Sequence, residues 1–294
     1  MGTEAHVVVH GFGGKVSVDH ARRRIEELEQ LWSRFRPDSE ISLLAERSGA
    51  RCIVSDETFL LLERAVEAWQ ATAGSYDPTV GAAMIANGYD RDFGRLGGTG
   101  PLRLAAARPS PGCADVLLDP DRSIVVVPHG VCIDPGGIAK GLAADLVSAE
   151  LIAAGAEGVI VNLGGDLRVR GHGPDEGRWP VAIEDLREPG QELLRLALDE
   201  GGVASSSVVR RRWDQHGERR HHVIDPRTGR PATTRLAGVT AIAADAWWAE
   251  VVATEILLDP DPERALRART DVAAIGIEPD GTLHVSPSLE AVVR

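Results

Sequence analysis

The segment CIDPGGIAKG (132–141) combines residue types that could bind phosphate. Lys140 follows a glycine-bearing turn that comes after an apolar strand and opens a predicted helix. Backbone N–H groups of such a turn and of a helix N-terminus point towards an anion, and a compact ammonium adds a point charge that a planar guanidinium does not reproduce. Only Lys15 and Lys140 are lysines among the 32 basic residues. We interpret Lys140 as functional. The alternative is that this position is a lysine by chance and has no specific role.

Three further segments carry acidic or histidine side chains, and in the first two these lie beside glycines. They are Tyr76-Asp77-Pro78-Thr79, flanked by Gly74 and Gly81; Asn162-Leu163-Gly164-Gly165-Asp166; and His222-Val223-Ile224-Asp225-Pro226. His222 is a candidate general base near neutral pH. Each segment also has a structural interpretation: an Asx turn, a tight turn and a hydrogen-bonded strand histidine, respectively. The residues alone leave both interpretations open.

A possible metal site lies on a predicted helix over residues 247–258. Glu250 and Thr254 are four residues apart and therefore share a helix face. A carboxylate, a hydroxyl and a nearby backbone carbonyl are the hard oxygen ligands that Mg²⁺ takes. The alternative is a glutamate that is hydrogen-bonded to a threonine one turn later.

Several other chemistries lack their motifs. GGIAKG does not satisfy the Walker A pattern, GFGG (11–14) is not a dinucleotide-binding fingerprint, and no Ser–His–Asp order is visible. The three cysteines, Cys52, Cys113 and Cys132, show no metal spacing. We interpret them as small apolar side chains.

Composition restricts the partners. The formal net charge of −12 argues against nucleic acid, because neutralising phosphates needs a basic surface. An apolar content of 43% is ordinary for a soluble protein, and no window approaches the ~20 apolar residues of a transmembrane helix. The N-terminus lacks a signal-peptide pattern. We expect a cytoplasmic protein; the alternative is a trimmed exported precursor.

The periodicity predicts a mixed α/β fold. Apolar spacing and cap residues predict helices from about Ser17 to Pro37, from Ser55 to Gly74, from about Ile138 to Ala154, and over 247–258. Strands are predicted over 4–10, 115–118, 123–127, 158–163, 179–184, 193–198, 201–205, 238–244, 272–277 and 282–285, with a hairpin over 209–221. The order does not alternate strictly, so we expect one compact α/β (mixed α+β) domain over residues 1–294, with two lobes around a cleft.

Seven segments in order resemble the ApbE family, the FAD:protein FMN transferases. They are MGT (1–3), RFRPDSEIS (34–42), GSYDPTVG (74–81), DPGGIAKGLAAD (134–145), VNLGGDLRVRG (161–171), HHVIDPRTGRP (221–231) and AEVVAT (249–254). The resemblance implies an ApbE-like fold with a flavin cleft. It also implies Mg²⁺-dependent transfer of FMN from FAD to a Thr or Ser hydroxyl of a target flavoprotein, with release of AMP.

The resemblance also implies roles for individual residues. Lys140 would stand beside the metal and favour phosphate charge, and His222 would be the base for the incoming hydroxyl. The FAD site would be lined by Met1, Phe35, Ser75, Tyr76, Asp77, Gly136, Leu142 and Ile224. Mg²⁺ would be held by the carbonyls of Ala139 and Ala253 and by the side chains of Glu250 and Thr254.

The sequence departs from the family pattern at several positions. Glu250 stands where the family usually has Asp, and Mg²⁺ tolerates poor octahedral geometry badly. Ser207 stands where Gly is usual, which matters if φ is positive there. Phe35 replaces a common Tyr, and Pro135 stands where Leu is frequent.

Two alternatives to the transferase therefore stay open. One is a flavin-binding relative without catalysis, and the other is an Mg²⁺-dependent FAD pyrophosphatase that gives FMN and AMP. A Glu250 carboxylate that reaches a metal together with Thr254 would favour either enzyme. A Glu250 that points away or pairs with an arginine would favour the binding protein.

Overall fold

A computed structural model of the protein describes residues 3–11, 14–95, 107–215 and 218–292. Within these ranges the helices are α1 (Gly14–Trp32), α2 (Glu40–Glu46), α3 (Asp56–Ala71), α4 (Gly81–Ala86), α5 (Ala139–Ala153), α6 (Ala246–Leu258), α7 (Pro262–Ala268) and α8 (Pro287–Val292). The strands are β1 (Ala5–His10), β2 (Cys52–Ile53), β3 (Leu117–Asp119), β4 (Ile124–Val126), β5 (Gly158–Leu163), β6 (Asp166–Gly171), β7 (Trp179–Glu184), β8 (Glu192–Leu198), β9 (Gly201–Ser207), β10 (Arg212–Gln215), β11 (Glu218–His221), β12 (Ile224–Asp225), β13 (Arg230–Pro231), β14 (Gly238–Ala243), β15 (Ala273–Ile277) and β16 (Leu283–Val285).

The chain divides into two compact units. The first comprises the described residues within Glu27–Ala139 and Arg210–Thr233, and the second those within Thr3–Glu26, Lys140–Val209 and Thr234–Arg294. The mixed α/β fold class expected from the sequence is confirmed. The single domain over residues 1–294 stays a prediction.

The second unit is built on a seven-stranded sheet. The strand order is β1-β5-β6-β9-β14-β15-β16, and every neighbouring pair is antiparallel. The hairpin β7–β8 adds Trp179, Val181 and Leu196 to a core shared with Leu167 and Val169 of β6. Burying these side chains removes apolar surface from water, which is the main stabilising contribution of this layer.

Helix α6 is buried in the second unit. The helix packs on β9 and β14. Five of its residues are inaccessible to solvent: Ala249, Val251, Val252, Ala253 and Ile256. A helix that is apolar around most of its circumference needs neighbours on several sides. Any charged side chain on α6 is therefore taken out of water and needs a partner.

The first unit contains α2, α3, α4, the three-stranded sheet β2-β4-β3 and the hairpins β10–β11 and β12–β13. The predicted N-cap of α3 is confirmed, because the Ser55 hydroxyl accepts a hydrogen bond from the Thr58 N–H at 3.2 Å. None of the helices that the structure describes is long and apolar enough to cross a membrane.

Several element boundaries differ from the prediction. Helix α1 begins at Gly14 rather than near Ser17 and ends at Trp32, before Pro37. Helix α4 follows the Tyr76-Asp77-Pro78-Thr79 segment and was not predicted, and the segment after the Gly164-Gly165 turn continues as strand β6. The short helices α2, α7 and α8 were not predicted, since six or seven residues give too little periodicity.

Candidate functional site

Lys140 lies between two carboxylates in the second unit. Its Nζ donates to Glu250 Oε1 at 2.7 Å and is in close contact with Asp166 Oδ2. Helix α5, strand β6 and helix α6 each supply one of these three residues. A single ammonium therefore joins segments that are far apart in sequence.

This cluster is buried and carries a formal charge of −1. The side chains of Asp166, Glu250 and Lys140 are 2%, 4% and 15% exposed. Buried charges need partners, because their loss of hydration is not otherwise compensated. Because one lysine cannot neutralise two carboxylates, the remaining negative charge favours the binding of a further cation.

Glu250 also closes the N-terminus of α5. Its Oε2 accepts a hydrogen bond from the Gly141 N–H at 2.9 Å, one of the first N–H groups of that helix. A Cβ at position 141 would collide with the Ala246 carbonyl, so glycine lets the first turns of α5 and α6 approach closely. The helix N-terminus adds a positive potential at the Glu250 carboxylate.

Asp145 fixes the start of α6. Its two carboxylate oxygens accept hydrogen bonds from the Ala246 and Trp247 N–H groups at 3.0 and 2.9 Å. Burial raises the pKa of Asp145 to about 6, although these backbone hydrogen bonds and the nearby Arg168 lower it. Asp145 therefore holds the helix that carries Glu250 and Thr254.

The Thr254 hydroxyl has two partners. Thr254 Oγ1 donates to the Glu250 carbonyl at 3.2 Å and lies 2.8 Å from Ser206 Oγ on β9. The hydrogen bond between Glu250 and Thr254 that the alternative named is therefore present, and it uses the backbone carbonyl of Glu250. The hydroxyl and the carboxylate belong to one helix face but have separate hydrogen-bond partners.

Sequence reasoning assigned no role to Asp166. The Gly164-Gly165 turn is closed by a hydrogen bond from the Gly165 N–H to Asn162 Oδ1 at 2.9 Å, which confirms the tight-turn interpretation. The chain then enters β6, and Asp166 is placed next to Lys140. An acidic residue directly after a glycine pair at the end of a buried strand was the available signal.

The donor set of this cluster fits Mg²⁺ in kind. Glu250, Thr254 and the newly found Asp166 and Ser206 offer hard oxygen atoms, and the surplus negative charge favours a cation. Ala253 is fully buried, and Ala139, directly before Lys140 in the chain, is 7% exposed. Within the described residues, no group of three His, Cys, Asp or Glu side chains could hold a metal, so carbonyl and hydroxyl oxygens would have to contribute.

In the first unit, Tyr76 and Asp77 belong to a buried turn. Asp77 Oδ1 accepts hydrogen bonds from the Thr79 N–H at 2.8 Å and from the Thr79 hydroxyl at 2.6 Å, which is an Asx turn. Burial raises the pKa of Asp77, and the Thr79 hydrogen bonds partly oppose this. The Tyr76 ring is 5% exposed and lies against Gly137, where a Cβ would stand 3.0 Å from Cε2.

Asp134 and Arg34 hold the turn that precedes α5. Asp134 Oδ1 accepts from the Gly136 N–H at 2.7 Å, while Oδ2 lies 2.9 Å from Arg34 Nε. The Asp134 N–H donates to the Pro78 carbonyl at 2.7 Å, which ties this turn to the Tyr76 turn. The two sequence motifs are therefore adjacent in this unit.

Phe35 and Ile224 meet in an aromatic cluster. Ile224, 5% exposed, packs with Phe35, Tyr89 and Trp213. The Arg34 guanidinium lies 4.2 Å from the Phe35 ring centroid, which is a cation–π contact. The structure thus brings together two residues that the resemblance assigned to the FAD site.

His222 directly follows β11 and is half-buried. The neighbouring His221 has a structural role, because its Nε2 lies 3.1 Å from the Ala232 carbonyl. The Ala232 N–H in turn donates to the Val223 carbonyl at 2.9 Å. The residues on both sides of His222 are therefore tied to Ala232, which fixes the position of the chain at His222.

The remaining predicted residues have mixed settings. Ser75 and Gly136 are exposed, whereas Leu142 is 3% exposed in the first turns of α5. Met1 lies outside the described residues. Ser207 is not among the described residues with positive φ, so its side chain causes no strain of that kind.

Comparison with known proteins agrees with these motifs. The family model described as the ApbE family matches residues 1–275. A FAD:protein FMN transferase of Vibrio cholerae serotype O1 is 29% identical over 252 residues, covering 80% of this chain and 71% of its own. One from Haemophilus influenzae is 26% identical over 272 residues, covering 88% and 78%.

Solved structures share the fold. The ApbE protein of Thermotoga maritima superposes with a TM-score of 0.87 at 24% identity, covering 99% of this chain and 96% of its own. The flavin transferase ApbE of Vibrio cholerae gives 0.81 at 22% identity, with the same coverages. Because the family model covers almost the entire sequence, this chain belongs to the ApbE family.

Proposed function

We propose that this protein transfers FMN from FAD to a Thr or Ser hydroxyl of a target flavoprotein and releases AMP. The observation that carries the proposal is the buried Lys140–Asp166–Glu250 cluster at the N-terminus of α5, in a member of a family whose relatives are FAD:protein FMN transferases. Donors and charges preorganised around a phosphate are what such a transfer needs.

The reaction breaks one bond of the FAD pyrophosphate. The acceptor oxygen attacks the phosphorus of the FMN moiety, the P–O bond to AMP breaks, and AMP leaves with the bridging oxygen. His222 would take the hydroxyl proton, as a general base does. The Lys140 ammonium would favour the negative charge that develops on the phosphate oxygens.

Mg²⁺ is part of this proposal. When bound, it would neutralise phosphate charge. Its ligands would be the Glu250 and Thr254 side chains and the Ala139 and Ala253 carbonyls, with Asp166 close by. The FAD site would be formed by Met1, Phe35, Ser75, Tyr76, Asp77, Gly136, Leu142 and Ile224.

One observation favours a second candidate, a FAD-binding protein without transfer. Both carboxylate oxygens of Glu250 already accept hydrogen bonds from Lys140 and Gly141. A metal must therefore share or displace these donors before Glu250 can coordinate it. The hydrolase alternative has no comparable observation in its favour.

The decisive experiment incubates the protein with FAD and Mg²⁺, with and without a Thr-containing acceptor domain. Intact-mass analysis of the acceptor and nucleotide analysis of the solution are then compared. We expect an FMN-sized mass gain on the acceptor, one AMP for each FMN added, and loss of both with EDTA. An acceptor with Thr replaced by Val is the control. Retained FAD without AMP would support the binding protein, and free FMN with AMP would support the hydrolase.

Replacing Glu250 with aspartate should retain or raise the Mg²⁺-dependent transfer. Aspartate withdraws the carboxylate by one methylene from Lys140 and Gly141, which leaves its oxygens more available to a metal. The measurement is the transfer rate as a function of Mg²⁺ concentration, with Glu250→Gln as the variant that lacks the charge. A complete loss of activity in Glu250→Asp would count against the metal role of this position.

A further inference from the structure

One segment of the chain has a net positive charge, opposite in sign to the net charge of the whole chain. Residues 210–231 contain seven arginines and three acidic residues, a formal charge of +4, whereas the whole chain carries −12. The segment includes the hairpin β10–β11 and leads directly into His222. Such a local excess of arginine marks a surface that attracts anionic groups.

The hairpin register places two of these arginines together. Arg212 is opposite His221, and Asp214 is opposite Arg219. Because side chains alternate across a strand, Arg212 and Arg219 lie on the same face as diagonal neighbours. Burial and the nearby Arg219 guanidinium lower the pKa of Arg212, which agrees with this proximity.

The other face of the hairpin is fastened to the aromatic cluster. Trp213 Nε1 donates to the Asn87 carbonyl at 3.2 Å, and its ring centroid lies 5.4 Å from that of Tyr89. Arg220 Nη1 donates to Asn87 Oδ1 at 2.8 Å. The hairpin is therefore held in place, with the Arg212–Arg219 face directed away from this anchor.

Arg219 is exposed on that face. In the part of the chain that the structure describes, Arg219 forms no ion pair, and neither does Arg211, which is next to Arg212 in the chain. Asp214 stands opposite Arg219 in the register, but no ion pair joins the two in the described part of the chain. The Arg219 guanidinium repels that of Arg212 on the same face, and a bound carboxylate would offset this repulsion.

We propose that the outward face of β10–β11 binds an acidic segment of the acceptor protein, which rests on the transferase function proposed above. Arg219 precedes His222 by three residues, about 10 Å along a strand. A carboxylate about three residues from the acceptor hydroxyl would reach this face while the hydroxyl reaches His222. The surface faces away from Phe35 and Ile224, which favours a protein ligand over the phosphates of FAD.

Arg219→Glu tests this surface. The KM for an acceptor flavoprotein domain should rise about tenfold, while kcat at saturating acceptor and the Kd for FAD stay unchanged. The rise in the wild-type KM with added NaCl should become smaller in the variant, because the screened attraction is lost. Reversing the nearest acidic residue of the acceptor to lysine should restore the KM of the variant.

Arg122→Glu is the matched control. Arg122 is an exposed arginine in the turn between β3 and β4 of the same unit, and its substitution makes the same charge change. We expect its KM to equal that of the wild type. An unchanged acceptor KM in Arg219→Glu would overturn the proposal, as would a raised Kd for FAD, which would assign the arginines to its phosphates.

Direct binding separates this proposal from the transferase function. Calorimetry of acceptor with the wild type at low salt should give a Kd that Arg219→Glu raises and Arg122→Glu does not. If the wild type binds the acceptor in this manner but adds no FMN, the transferase proposal fails and the docking surface stands. If FMN is transferred while the variants bind the acceptor equally well, the docking surface fails alone.

Discussion

Replacing Lys140 with methionine should lower the free energy of unfolding by about 3–5 kcal/mol. Methionine keeps much of the side-chain volume but removes the cation between Asp166 and Glu250, which are 2% and 4% exposed. Two buried carboxylates would then repel each other and would have lost their hydration as well. Equilibrium unfolding by denaturant, followed by circular dichroism, measures the change.

Two variants control for other effects of this substitution. Asp166→Asn in the Lys140→Met background removes one of the two carboxylates that have lost their cationic partner, and it should restore part of the lost stability. Lys140→Arg keeps the charge with a different geometry and should be less harmful than methionine. If Lys140→Met unfolds at the same denaturant concentration as the wild type, the ion pairs at Lys140 contribute no stability.

The same substitution should affect metal binding and catalysis in opposite directions. Without the ammonium, the Asp166 and Glu250 carboxylates attract a cation more strongly, so Mg²⁺ should raise the Tm of Lys140→Met more than that of the wild type. FMN transfer should fall more than FAD binding, because Lys140 is proposed to act on the charge of the reacting phosphate. Unchanged turnover would make Lys140 a structural residue only.

Local signals account for what the sequence predicted well. The Ser55 cap set the start of α3, and α5 ends at Ala153, next to the predicted Ala154 and just before Gly155, whose φ is 98°. Strands β5 and β14 have enough apolar residues to be recognised alone. These features depend on neighbours within a few residues, which a single sequence displays directly.

The missed parts depend on contacts between distant segments. Strand β6 alternates Leu167 and Val169 with arginines, but Arg168 is itself buried, at 3% exposed, near Asp145 and Glu200. The contact of Lys140 with Asp166 exists because β6 lies beside β5 and β9 in the sheet. Spacing along the chain carries no information about such a pairing, so Asp166 could be found only from the fold.

His222→Ala should lower FMN transfer by about 10²–10⁴-fold, while FAD binding changes little. His222 follows β11 directly, and the hydrogen bonds of His221 and Val223 tie this stretch of chain to Ala232. The substitution removes the proposed proton acceptor and keeps these neighbouring hydrogen bonds. Single-turnover transfer and a separate FAD titration measure the two quantities.

A proton-transfer role also predicts behaviour that a structural role does not. Added imidazole should restore part of the transfer in His222→Ala, because it supplies a replacement proton acceptor. His221→Gln is the neighbouring control, since its amide can still donate to the Ala232 carbonyl, and it should transfer FMN at the wild-type rate without imidazole. Transfer by His222→Ala at the wild-type rate would show that another group accepts the proton. In that case the acceptor hydroxyl would have to be activated by the metal, and transfer would then depend on Mg²⁺ concentration in the variant as steeply as in the wild type.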